Sequence, residues 1–154
     1  MRRRFGSIIA KSCLLVEAFF YLAWSKAIVA RSFARVTAGL GEPMSETPFS
    51  RSRERSIVIE RVSAAVNRAS RHTPWKSTCL VRAVAAMKML ERRRMDSTLY
   101  LGTAKDAGGR MIAHAWLRSG TWYVTGAKEM EHYAVVGKFA NRLERTGVEE
   151  ADAK

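Results

Sequence analysis

The stretch "KSTCLVRAVAAMKML", residues 76–90, sets two hydroxyl residues and a cysteine directly ahead of an apolar run with helical spacing. A Ser or Thr side chain just before such a run is a typical N-cap, so a helix is predicted to start at Thr78 or Cys79. Leu80, Ala83, Val84, Met87 and Leu90 then form its buried stripe. The run "ERRR" at 91–94 closes the helix with arginines at the negative end of its dipole, where a solvated helix end is expected. Cys79 therefore falls where the first, unpaired N–H groups of a helix converge. Thiolates are favoured at such helix starts, and the same N–H groups can stabilise an oxyanion forming beside the sulfur.

Outward from this helix, the chain reads as two halves of different periodicity. Residues 7–38 carry Leu15, Phe19, Leu22, Ile28 and Phe33 with little Gly or Pro, which predicts one long helix or two joined ones. "GLGEPMSETPFS", residues 39–50, has the composition of a loop or linker. A further helix is expected over 51–70, where Val58, Val62, Ala65 and Val66 recur at helical spacing, and Pro74 marks a turn. From residue 97 the pattern turns to strands: "STLYLGTA", "RMIAHAWLR", "TWYVTG" and "HYAVVGKF", with Gly108-Gly109 and Ser119-Gly120 as turn signals. Helices followed by an antiparallel sheet define an α+β fold. The expected organisation is a helical region and linker at 1–50, the main domain at 51–140, and a polar tail at 141–154.

With 154 residues and 47% hydrophobic content, the chain is long enough for one ordinary domain with a real core. Its 27 Lys and Arg against 14 Asp and Glu leave a net charge of +13, which suits an acidic partner. Nucleic acid is not the expected one: the excess is spread along the chain, and no zinc-finger spacing, aromatic RNA-binding signature or basic zipper is present. Cys13 and Cys79 form neither a disulfide framework nor a metal pair, so a reduced, cytoplasmic setting is expected, without metal or cofactor. "MRRR" followed by "FGSIIAKSCLLVEAFFYLAW" outlines a signal peptide or membrane anchor, but Lys11, Glu17 and Lys26 interrupt the apolar run. An amphipathic helix packed on the domain is the expectation, with a membrane-surface helix as the alternative.

A thiol needs a base. His114 lies mid-strand in "MIAHAWLR", on the face shared with Ile112 and Trp116 if the strand alternates, and a hydrogen-bonded core histidine is the competing reading. His72 and His132 fall in turn-like or strand-edge contexts. Cysteine at a helix start followed by histidine on a later strand is the papain-like order of nucleophile and base.

These residues also carry a resemblance. Pro74-Trp75, Cys79-Leu80, the arginines 92–94 and His114-Ala115-Trp116, in that order, resemble the leader peptidases of lasso peptide biosynthesis, a branch of the transglutaminase-like cysteine protease superfamily. The likeness runs over about residues 72–139. It implies a core with the nucleophile at a helix N-terminus packed on an antiparallel sheet. It also implies that Cys79 attacks the bond joining leader to core in a ribosomally made precursor peptide, with His114 as general base and then acid. The expected partners are that precursor, a separate leader-binding protein and an ATP-dependent cyclase; the short stretch ahead of residue 72 leaves no room for a leader-recognition domain, in keeping with a split system. The family orients its histidine with an aspartate on the following strand, whereas this chain has Thr125-Gly126 there. Glu129, Glu131, the Thr125 hydroxyl or a backbone carbonyl are the candidate replacements, and in the last two cases a Gly126→Asp change is expected to raise the rate. Trp75 is a candidate for the oxyanion site or for a hydrophobic plug in the turn. Another acyl-transfer enzyme of the same superfamily would give an isopeptide or a deamidated product instead of a cut leader. A non-catalytic scaffold or membrane-surface protein would carry an unreactive Cys79.

Overall fold

A computed structural model describes the backbone of residues 2–143 and the side chains of residues 10–143. Helix α1 spans Arg2–Arg31 and is followed by the short α2, Phe33–Ala38. Helices α3, Arg53–Ser70, and α4, Cys79–Glu91, come next, and then the strands β2, Ser97–Lys105, β3, Met111–Ser119, and β4, Trp122–Thr125. A 3₁₀ turn, Ala127–His132, leads into β5, Ala134–Asn141. The helices-then-sheet order is the α+β architecture read from the sequence. Of the polar tail expected over 141–154, residues 144–154 lie outside the described residues.

Local signals set the helix boundaries. The Ser52 side chain accepts from the backbone N–H of Arg55 to open α3, and Thr78 accepts from that of Val81 to open α4, so Cys79 is the first helical residue of α4. Arg94 closes α4 in the left-handed region at φ 52°, with the N–H of buried Met95 returning to the Leu90 carbonyl. Of the predicted stripe, Ala83, Val84, Met87 and Leu90 are buried and Leu80 is half-buried.

The five strands form one antiparallel sheet in the order β1-β5-β2-β3-β4, where β1 is the pair Glu42–Pro43. This strand lies inside the Gly- and Pro-rich segment read as a linker, and it pairs with Phe139 and Ala140 of β5. Thr47, from the same segment, is buried and its hydroxyl meets that of Thr98 at 2.7 Å. The two faces of the sheet differ in chemistry. Leu99, Ala115, Leu117 and Val124 pack on Val62 and Val66 of α3 and on Val84 and Met87 of α4. Cross-strand register puts Tyr100 opposite Trp116 and Gly102 opposite His114, on the other face.

That other face is organised by Arg118, which is fully buried. It donates to the Tyr100 hydroxyl (2.9 Å), the Gly120 carbonyl (2.6 Å) and the Thr47 carbonyl (2.8 Å), and its guanidinium lies 3.7 Å from the centre of the Phe49 ring. A buried cation is tolerated when its donors are met, and here neutral acceptors and an aromatic face meet them. Burial pushes the Tyr100 phenol up, which keeps it a neutral acceptor for Arg118. Arg118 thereby fastens the 47–50 segment to the sheet.

Helix α1 packs on α3 and α4 through Ala18, Leu22 and Ser25, all fully buried. Despite its charged residues, Ala10–Arg31 is long and apolar enough by length and composition to cross a membrane. Glu17 crosses to the end of α4, where Arg93 grips it with bonds of 2.9 and 2.7 Å and Arg92 lies at 3.6 Å. The expectation that all these arginines are solvated is thus corrected for Arg93: it is half-buried and also donates to the Met89 carbonyl, while Arg92 and Arg94 remain exposed. Contact with Glu17 becomes available only once α1 folds back on α4.

The hydrogen bonds from Arg93 hold the Glu17 carboxyl below the usual carboxylate value. A lowered native value means that this contribution is complete above the ordinary carboxyl range and disappears as pH falls through the native value. Glu17→Gln is therefore expected to cost about 1–2 kcal/mol at neutral pH, and the gap to the parent should close in strong acid. Urea melts across pH measure this; a gap independent of pH contradicts it.

Candidate active site

The turn before α4 is built to present Cys79. The Thr73 hydroxyl lies 2.9 Å from both the Trp75 carbonyl and the Ser77 hydroxyl, closing the turn that Pro74 begins. The Trp75 ring rests against Phe19 of α1, with centroids 5.3 Å apart, and its Nε1 is buried without an acceptor. These contacts tie the turn to α1. Cys79 itself is half-buried at the first position of α4 and packs against the apolar core.

His114 sits on β3 and is 5% exposed. Its ring is flanked by Trp116, which in turn stacks on Tyr100, and by Tyr133, with centroids 5.8 and 5.0 Å away. Gly102, across the sheet from His114, makes room for this packing, since a Cβ there would lie 2.8 Å from both the Trp116 ring and Tyr133. The imidazole Nε2 is 2.9 Å from the Gly126 carbonyl oxygen. A carbonyl only accepts, so Nε2 carries the proton and Nδ1 is left with its lone pair. The ring is thus both hydrogen-bonded in place and held in the tautomer that a base requires.

Of the candidates to replace the family's aspartate, the backbone carbonyl at Gly126 is the one in contact with the ring. The Thr125 hydroxyl is buried and has no partner. Glu129 lines the same cleft as His114 without bonding to it, and Glu131 is exposed on the 3₁₀ turn. The expectation that an aspartate at 126 would help is corrected by the backbone there. Gly126 has φ 73°, and a Cβ would lie 2.6 Å from the Ala115 carbonyl oxygen and 2.8 Å from the Trp116 Cβ.

Strand β4 ends at Thr125, opposite Leu117, and the chain continues along β3 through Gly126 and the 3₁₀ turn. There His114 opens into a cleft of about 370 Å³ shared with Ser63, Asn67 and Arg71 of the α3 region and with Arg82 of α4. No hydrogen bond joins Cys79 to His114 among the described residues, and Cys79 is not among the residues that line this cleft. The sequence gives no sign of a role for Arg82, and it leaves open which backbone carbonyl would hold the ring. Arg82 lies one helical turn after Cys79, its Nε is buried and unpartnered, and it faces the cleft. In the sequence it is one more arginine, and a carbonyl ligand leaves no side-chain signature at all. His72 and His132 are both exposed.

Residues 18–138 match the family model of the transglutaminase-like superfamily, and the chain belongs to that superfamily. Its members are commonly cysteine proteases and acyltransferases, which is the chemistry that a cysteine at a helix start can perform. No significant match was found among curated proteins or among solved structures.

Two sets of substitutions separate the orienting groups. Gly126→Ala should cost at least about 1–2 kcal/mol from the left-handed backbone alone and should release the imidazole. Nitrogen-15 spectra of His114 should then show the loss of the single Nε2–H tautomer. Thr125→Val, Glu129→Gln and Glu131→Gln should leave that tautomer in place, and a loss of it in any of the three would reassign the orienting group.

Proposed function

We propose that this chain is a cysteine peptidase that removes the leader from a lasso peptide precursor, with Cys79 as nucleophile and His114 as general base and acid. The observation that carries the reading is the pairing of two features within a transglutaminase-like domain. Cys79 is the first residue of a capped helix, and His114 is a buried histidine held by its Nε2 with Nδ1 free. The ordered set of Pro74-Trp75, Cys79-Leu80, Arg92–94 and His114-Ala115-Trp116 supports the leader-peptidase branch over its relatives.

In the reaction, His114 Nδ1 takes the Cys79 proton and the sulfur adds to the scissile carbonyl carbon. The N–H groups at the start of α4 receive the resulting oxyanion. The imidazolium returns its proton to the leaving amine, which frees the core peptide and leaves the leader as a thioester. Water, deprotonated by His114, then hydrolyses the thioester and restores the thiol. A thiol asks less of its base than an alcohol does, so a neutral carbonyl at Gly126 can serve in place of a carboxylate. The positive charge of the chain favours encounter with an acidic leader or an acidic leader-binding protein in the cytoplasm.

The test looks for a precursor peptide and a leader-binding protein encoded beside this chain's gene and uses them as substrate and partner. Cys79→Ala and His114→Ala should each abolish leader removal while retaining the fold, since the two act as one unit. Cutting by Cys79→Ala at the parent rate would refute the nucleophile. Adding the leader-binding protein should raise the rate by about 10²-fold or more, because tethering concentrates the cut site at the thiol. Full activity without it would show that this chain reads the leader itself. A product carrying a new isopeptide bond would place the chain among the acyltransferases of the superfamily.

A further inference from the structure

One side of α1 is occupied by α3 and α4, and the other is apolar and exposed, with the Lys88 ammonium 5.9 Å from the centre of the Trp24 ring at its margin. Cys13, Val16, Phe20, Trp24 and Ala27 recur at three- and four-residue intervals and so share one ridge. All five are exposed, Val16 to 71%, Phe20 to 62% and Trp24 to 36%. No carboxylate interrupts this ridge. The one acid of the helix, Glu17, is turned into the domain by Arg93 and Arg92. The ends are cationic: the sequence has Arg2, Arg3 and Arg4 at the start, and Arg31 and Arg35 are exposed at the other end.

We propose that this face of α1 lies on an anionic lipid surface, with the helix in the plane of the interface and the domain on the aqueous side. An apolar ridge with aromatic residues between basic ends is the pattern that combines burial among acyl chains with attraction to acidic headgroups. The helix does not span, because Ala18, Leu22 and Ser25 are fully buried against the domain and Glu17 is held by Arg93. A second copy of the chain is a poorer occupant, since two surfaces of net charge +13 repel. This proposal is independent of the peptidase reading.

The full chain is mixed with vesicles of phosphatidylcholine alone or with about one-third phosphatidylglycerol, and sedimented. The parent should bind the anionic vesicles, more weakly at raised salt, and pure phosphatidylcholine far less. The double change Phe20→Ser and Trp24→Ser keeps the net charge and alters only exposed side chains. It should weaken binding about tenfold or more, with an unchanged circular dichroism spectrum as the control for folding. Failure of the parent to bind anionic vesicles overturns the proposal. Equal binding by the double variant also overturns it, since attraction would then come from general basic charge. Dimerisation of the parent lost in the double variant, without vesicle binding, would assign the face to a second copy instead.

Discussion

The alternation of β3 is the constraint on which the rest of the molecule depends. Along this strand Ala115 and Leu117 enter the core shared with the helices, while His114, Trp116 and Arg118 leave on the opposite face. A slip of one residue would exchange these sets, putting a guanidinium and an imidazole into a core of Val, Leu and Met. The register is fixed twice over. Small and aliphatic residues pack on α3 and α4 on one side, and on the other Arg118 satisfies its donors through Tyr100, Gly120 and Thr47. The stack from Tyr100 through Trp116 then delivers the imidazole of His114 to the sheet edge with little freedom.

Gly126 connects that strand to the proposed chemistry. Its left-handed backbone ends β4 and turns a carbonyl toward His114, so the group orienting the ring is main chain rather than side chain. A carboxylate would both orient the ring and stabilise its charged form; a carbonyl orients it with only a partial charge. That difference suits the proposed thiol nucleophile, since deprotonating a thiol draws less on a base. It also explains the tight packing around position 126, where the Ala115 carbonyl and Trp116 leave no space for a side chain.

Features governed by short-range rules were legible in the sequence. The Thr78 cap, the first-residue position of Cys79, the turns at Gly108-Gly109 and Ser119-Gly120 and the α-then-β order all follow from residue types within a few positions of one another. Features made by distant partners were not. The strand Glu42–Pro43 exists because β5 pairs with it across nearly the whole domain, so its Gly- and Pro-rich surroundings read as a linker. Arg93 read as a solvated helix end because Glu17 lies 76 residues away in the chain. Arg118 gave no sign of being the largest fully buried side chain among the described residues, since apart from Gly120 its acceptors come from the 47–50 segment and from β2. For the candidate site, Cys79 and His114 could be picked out by type and spacing, while the Gly126 carbonyl on the His114 ring and the buried Nε of Arg82 could not.

Cys79 and His114 are proposed to act together although no hydrogen bond joins them in the resting structure. The rate of alkylation by iodoacetamide at neutral pH, followed separately at Cys79 and at the exposed Cys13 by mass spectrometry, tests this directly. Cys79 should react about tenfold faster than Cys13 or more despite being half-buried, and His114→Ala should remove the advantage. A Cys79 that reacts no faster than Cys13, or one whose rate is indifferent to His114, would contradict the pairing.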